Sequence, residues 1–211
     1  MVELLLRGNS CNMKDVYGWT PLHLAVWKEH VTIQRLLLKQ GADAKARDHR
    51  GLTPIHLALA AFSGRDPIIK LLLDNGADIN GRDGFNNMAL HAACVGHSLH
   101  STIHILLDNR ADVNAVNDNG VSPLLFAASN GKVRIVQILI NAGANINLAP
   151  FNKVHPLHSA AACGFNQVAK LLIRAGADIE ALDDKGWTPL ARAVRYKRPA
   201  VVSMLLRRRA K

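Results

Sequence analysis

Gly18-Trp19-Thr20-Pro21-Leu22-His23 is the stretch that decides how the 211-residue chain is read. It returns as Gly51-Leu52-Thr53-Pro54-Ile55-His56 and as Gly120-Val121-Ser122-Pro123-Leu124-Leu125. Further copies are His155-Pro156-Leu157-His158 and Gly186-Trp187-Thr188-Pro189-Leu190, and a worn one, Met88-Ala89-Leu90-His91, lies in mid-chain. The prolines Pro21, Pro54, Pro123, Pro156 and Pro189 are spaced by 33, 69, 33 and 33 residues, and the 69 is two periods with about three inserted residues. A fixed period of this length means stacked supersecondary units rather than one closed core.

Each copy has a physical reading. Thr20 is suited to cap a helix N-terminus, its hydroxyl accepting from a free amide of the first turn. Pro21 then takes the first helical position, where its missing N–H is not needed. Leu22, Leu24 and Ala25 begin an apolar face. Leu36-Leu37-Leu38 closes a second short helix, and Gly41 is placed to stop it in a left-handed conformation. The same grammar recurs in Leu71-Leu72-Leu73 before Gly76, Ile138-Leu139-Ile140 before Gly143, and Leu171-Leu172-Ile173 before Gly176.

Asp-x-x-Gly-x-Thr-Pro-Leu-His, then Leu-Leu-Leu, then Gly-Ala-Asp-x-Asn resembles the ankyrin repeat. The resemblance covers nearly the whole chain, in registers 15–47, 48–82, 83–116, 117–149, 150–182 and 183–211. Residues 1–14 look like the second helix and exit loop of a truncated repeat, and the expectation is a fragment of a longer array. The fold implied is all-α, a solenoid of helix–turn–helix units with hairpin-like fingers. Repeat 48–82 carries an insertion around residues 61–67, where Pro67 is placed to start the second helix. Repeat 83–116 is degenerate: Met88 and Ala89 replace the cap and the proline, and Arg110 stands where a Gly stop belongs. Because a non-Gly residue is disfavoured at positive φ, this repeat is expected to be the weakest. Residues 183–211 read as a C-terminal cap.

Composition narrows the function classes. Hydrophobic residues make up 49% of the chain, enough for a continuous core, whereas aromatics are only 5%, so Leu, Ile, Val and Ala must do the packing. No apolar run approaches the length of a membrane span, and Met1–Arg7 lacks the features of a signal peptide. Three well-separated cysteines, Cys11, Cys94 and Cys163, favour a reducing compartment. The expected location is the cytoplasm, with the nucleus as the other compartment. The net charge of +10 is uneven, with +7 falling in residues 170–211. That asymmetry bears on partners rather than on fold.

Nothing in the chain has the pattern of a catalytic, cofactor or metal site. There is no phosphate loop, no Gly-x-Gly-x-x-Gly, no His-Glu-x-x-His and no Cys-x-x-Cys. The reading is therefore no enzyme, no cofactor and no metal. His97, His100 and His104 have the spacing of one helical face, but solvent exposure explains them better than a metal does. By resemblance, His23, His56, His91 and His158 hydrogen-bond within and between repeats. The resemblance also makes Asn80, Asn114 and Asn147 positions that an asparaginyl hydroxylase can modify, although such residues also stabilise the turn.

Aromatic placement says more. Partner-facing positions of ankyrin-like repeats, the finger tips and the exposed end of the first helix, are held here by Tyr17, Trp19, Trp27, Phe85, Phe151, Trp187 and Tyr196. These are seven of the ten aromatics, and exposed Trp and Tyr are enriched among binding hot spots. For Trp19 and Trp187, packing of finger against finger is an equal reading. Arg195 stands beside Tyr196 in the basic last repeat, whose cations map to the same face and suit an acidic or phosphorylated segment. The reading is non-catalytic protein recognition, as a scaffold or adaptor, through Tyr17, Trp19, Trp27, Phe85, Phe151, Trp187, Arg195 and Tyr196. The alternative is a polyanion or nucleic acid at the basic end, the less favoured partner. No membrane partner is expected. The chain is expected to be monomeric unless its truncated N-terminal end self-associates.

Overall fold

A computed structural model describes residues 9–60, 66–95 and 100–209. Residues 1–8, residues 61–65 of the insertion, residues 96–99 with His97, and residues 210–211 lie outside the described residues. The chain divides into two compact units, Met1–Ala111 and Asp112–Lys211.

In the first unit a 3-10 turn, Asn9–Asn12, precedes helices α1 (Pro21–Trp27), α2 (Val31–Lys39), α3 (Pro54–Ala60), α4 (Asp66–Asp74), α5 (Ala89–Val95) and α6 (His100–Asp108). The second contains α7 (Pro123–Ser129), α8 (Val133–Asn141), α9 (Pro156–Cys163), α10 (Asn166–Arg174), α11 (Pro189–Arg195) and α12 (Pro199–Arg209). The described residues are thus all helix and turn, apart from one isolated bridge between Arg82 and Met88.

Within each unit, first helices pack beside first helices and second beside second. The layer between them is aliphatic. Leu22, Ile55, Leu59, Ile69, Leu72, Leu90, Ile103 and Leu106 are fully buried in the first unit, and Leu124, Leu139, Leu157 and Leu172 in the second. Each buried Leu or Ile contributes about 1.5–3 kcal/mol. Alanines fill the tighter positions: Ala93, Ala127, Ala160 and Ala193 are wholly buried on first helices, where a larger side chain would hold the neighbours apart.

Helix ends follow the sequence grammar. Thr20 caps α1 in a box with His23, while Ser122 and Thr188 accept from the amides of Leu125 and Ala191. At the end of α2 the Ala42 amide donates to Leu37 O (2.9 Å) and the Gly41 amide to Leu38 O (3.0 Å), a Schellman stop with Gly41 at φ 85°. The same pair of bonds closes α6 through Ala111 and Arg110, with Arg110 held at φ 65°. The left-handed conformation expected of that position from the sequence is present. Pro67 lies in the first turn of α4, as its position suggested.

Arg207, Arg208 and Arg209 lie in the last turn of α12. Arg207 and Arg208 line a groove shared with Asn166 and Lys170 of α10, on the second-helix side.

Candidate recognition surface

Five of the six fingers are built round one carboxylate or amide oxygen, the exception being the finger that begins at Pro150. Asp15 Oδ1 accepts from the amides of Tyr17 and Trp19, both at 2.8 Å, and Asp48 Oδ1 accepts from Arg50 and Leu52 at the same distances. Asp83 does the same for Phe85 and Asn87, Asn117 for Asn119 and Val121, and Asp183 for Lys185 and Trp187. Successive fingers then approach backbone to backbone. His49 donates its amide to Tyr17 O (3.1 Å) and Gly84 donates to Arg50 O (2.8 Å). A Cβ on Gly51, which sits at φ 73°, would lie 2.6 Å from the Gly84 nitrogen, so the approach requires glycine there.

Three motif histidines tie their first helices to the next finger. His23 Nδ1 accepts from the Thr20 amide (3.1 Å) and lies 2.8 Å from its hydroxyl. Nε2 must therefore carry the proton, and it donates to Leu52 O at 3.1 Å. His56 repeats this with Thr53 and Asn87 O, and His158 Nε2 donates to Trp187 O at 2.9 Å. Burial pulls all three imidazoles below the usual range, against the opposing effect of their carbonyl partners.

On this frame the first unit opens a pocket of about 780 Å³. Tyr17, Trp19 and Trp27 line it together with Leu24, Leu57 and Ala92 of the first helices. Trp27 is 45% exposed and meets Trp19 edge-on, with ring centroids 6.0 Å apart. Trp19 is half-buried: its ring stacks on His23, and Nε1 donates to Asp48 Oδ2 at 3.1 Å. Trp19 therefore both lines the pocket and locks one finger to the next. Tyr17 is 71% exposed at the finger tip, and Arg50 and His49 line the same pocket.

Phe85 is exposed on the third finger and is not part of the pocket wall, although Asp83 of the same turn is. In the second unit Phe151 is 83% exposed, and Tyr196 and Arg195 are exposed at the end of α11. Trp187 is half-buried, with Lys185 Nζ 5.7 Å from its ring centroid. Arg192 is committed to Asp183 through a 2.6 Å ion pair. Burial opposes ionisation of Asp183, but bonds from Trp187, Arg192 and Lys185 outweigh it and hold the carboxyl below its usual range.

Leu24, read from the sequence as part of the apolar helical face, is instead 51% exposed on the pocket wall, and the wall residues Leu57 and Ala92 escaped the sequence reading. A signal was there: each follows the motif histidine directly, at His23, His56 and His91. His100 and His104 are exposed on α6, and no group of three or more His, Cys, Asp or Glu among the described residues is placed to hold a metal. Among those residues no helix is long and apolar enough to cross a membrane. Cys11 and Cys94 are buried, and burial pushes the Cys94 thiol far up, as for an inert packing residue.

Repeated helix pairs with fingers, bonded repeat to repeat and exposing aromatics, define a class of modular recognition proteins. The family model for ankyrin repeats matches three times, over residues 1–83, 57–150 and 149–211. The chain belongs to the ankyrin repeat family. It resembles the crystal structure of the ankyrin repeat domain of Bcl-3, described as a member of the IkappaB protein family, with 34% identity and a TM-score of 0.81. That match covers 98% of this chain and 90% of the other. It is 33% identical over 120 residues to a Danio rerio protein named as a palmitoyltransferase, ZDHHC13, and 37% identical over 135 residues to human neurogenic locus notch homolog protein 2. The matches take in 57% and 63% of this chain but only 18% and 5% of those relatives. Ankyrin repeats are in general non-catalytic modules of protein–protein interaction.

Proposed function

We propose that this chain recognises a partner protein through its fingers and first helices, with Tyr17, Trp19 and Trp27 as the anchor. The supporting observation is the pocket that gathers these three rings with Leu24, Leu57 and Ala92. Large aromatics in a concave, mostly apolar site are what binding hot spots are made of. On this reading the repeats run 15–47, 48–82, 83–116, 117–149, 150–182 and 183–211, and the chain acts as a non-catalytic scaffold or adaptor in the cytoplasm or nucleus. Phe85, Phe151, Trp187, Arg195 and Tyr196 belong to the same reading as exposed or half-exposed finger and first-helix residues.

The polyanion alternative has less support. Arg192 is occupied by Asp183, and Arg198 donates from Nε to Ala162 O at 2.9 Å. Fewer cations remain on that side for a nucleic-acid backbone.

Affinity capture from a cell extract, with and without nuclease, tests the proposal. Trp27→Ala should abolish capture of a nuclease-resistant protein while far-ultraviolet circular dichroism stays unchanged, because Trp27 makes no fold-holding hydrogen bond like that of Trp19. Lys39→Ala, on the exposed side of α2, should have no effect. Capture indifferent to Trp27→Ala, or lost to nuclease, would overturn the reading.

A further inference from the structure

A second cavity, of about 270 Å³, lies between α10 and α12 on the second-helix side of the second unit. Its polar lining is Asn166, Lys170, Ser203, Arg207 and Arg208, beside Met204, and no carboxylate contributes to it. Asn166 and Lys170 stand one turn apart on α10, and Ser203 and Arg207 one turn apart on α12, so all four point along a shared groove. Among the described residues none of Lys170, Arg207 and Arg208 pairs with a carboxylate; the one ion pair nearby is Arg192–Asp183. The Asn166 amide is likewise uncommitted. Its Oδ1 is buried without a hydrogen-bond partner, so the side chain is not tied to a neighbour through its oxygen.

Arginines in the last turn of a helix are favoured by the helix dipole, which accounts for part of the cluster. It does not account for Lys170 in the middle of α10. Periodicity does not account for it either. Shifted back by one 33-residue period, Asn166, Lys170, Arg207 and Arg208 become Val133, Gln137, Arg174 and Ala175. The groove between α8 and α10 therefore lacks this set.

We propose that the α10–α12 groove binds a phosphate monoester carried on a protein segment, a phosphoserine or phosphothreonine side chain. Arg207 supplies the planar fork that matches two phosphate oxygens, Lys170 and Arg208 supply flanking charge, and Ser203 supplies a neutral donor. The dimensions favour a single dianionic group over a nucleic-acid strand, whose binding takes a basic track that follows successive phosphodiesters. This site is separate from the Tyr17–Trp19–Trp27 pocket, and either can fail without the other.

The test is a heteronuclear NMR titration of the full chain with O-phosphoserine, serine and a decathymidylate oligonucleotide. O-phosphoserine should shift the amides of Asn166, Lys170, Ser203 and Arg207 in a saturable way, and serine should not. Lys170→Gln/Arg207→Gln/Arg208→Gln should weaken that binding about tenfold, as expected for three exposed charges, with Lys39→Gln as an unchanged control. Should the triple variant lose its fold, the single changes Lys170→Gln and Arg207→Gln decide, each expected to weaken binding twofold or more. Shifts scattered over the other lysines and arginines, affinity unaffected by the substitutions, or tighter binding of the oligonucleotide through the same residues would overturn the proposal.

Discussion

His155 stands where the other well-formed repeats carry a capping Thr or Ser. Its backbone already has the cap conformation, at φ −63° and ψ 161°, but its side chain makes no cap bond. The ring instead stacks on His158 with centroids 5.4 Å apart, and Nδ1 of both rings is buried without a hydrogen-bond partner. In the first two full repeats Thr20 and Thr53 fill that role for His23 and His56. His155→Thr should therefore restore both the helix cap and the partner of His158, stabilising the protein by about 1 kcal/mol. A higher midpoint in urea denaturation checks this; an unchanged or lower midpoint would show that the stacked pair is worth as much as the cap.

At the scale of elements, the sequence made the helix pairs legible because most pairs are announced at both ends, at the start of the first helix and the stop of the second. Thr-Pro or Ser-Pro starts them and Gly-Ala stops them, and the one replaced stop, Arg110, has the positive φ that the pattern demands. Arg110→Gly should stabilise the end of α6 by about 1 kcal/mol, since glycine carries no Cβ penalty there. The gain should appear as slower amide exchange at Ala111 as well as a raised melting temperature. The sequence offered finger-against-finger packing for Trp19 but hid its partner. The Trp19 indole reaching Asp48 joins residues 29 apart, and nothing local to either announces it. The place of Arg207 and Arg208 was hidden for a similar reason: nothing near them in sequence shows that α12 sets them beside Asn166 and Lys170 of α10. The candidate site was legible in its aromatics, Tyr17, Trp19 and Trp27, and illegible in the small apolar wall that makes a pocket of them.

For the molecule as a whole, the histidine network sets a pH dependence. His23, His56 and His158 have pKa values lowered by burial and are neutral in the fold, whereas in the unfolded chain they titrate near the ordinary imidazole value of about 6.5. The unfolded state therefore binds more protons as pH falls below that value. Stability is full above about pH 6.5 and declines as pH drops through the window between the unfolded and folded values. Denaturation midpoints measured at about pH 7.5 and 5.5 should fall toward acid. A flat profile would mean that these rings are not held neutral.

The links between repeats also have a direction. His23 reaches forward to Leu52, His56 to Asn87 and His158 to Trp187. The side chains of Asn12, Asn114 and Asn147 also grip Gly41, Gly143 and Gly176 of the repeat ahead. The buried imidazole donors therefore all point to the successor, although the finger amides of His49 and Gly84 and the Arg198 side chain donate back to the repeat before. A ribosome delivering the chain from its N-terminus leaves the imidazoles of His23, His56 and His158 each waiting for a carbonyl not yet made. Shortening the chain is accordingly unequal at its two ends. Removing a leading repeat takes its own donors away with it, while removing a trailing one strands a buried donor in the repeat left behind.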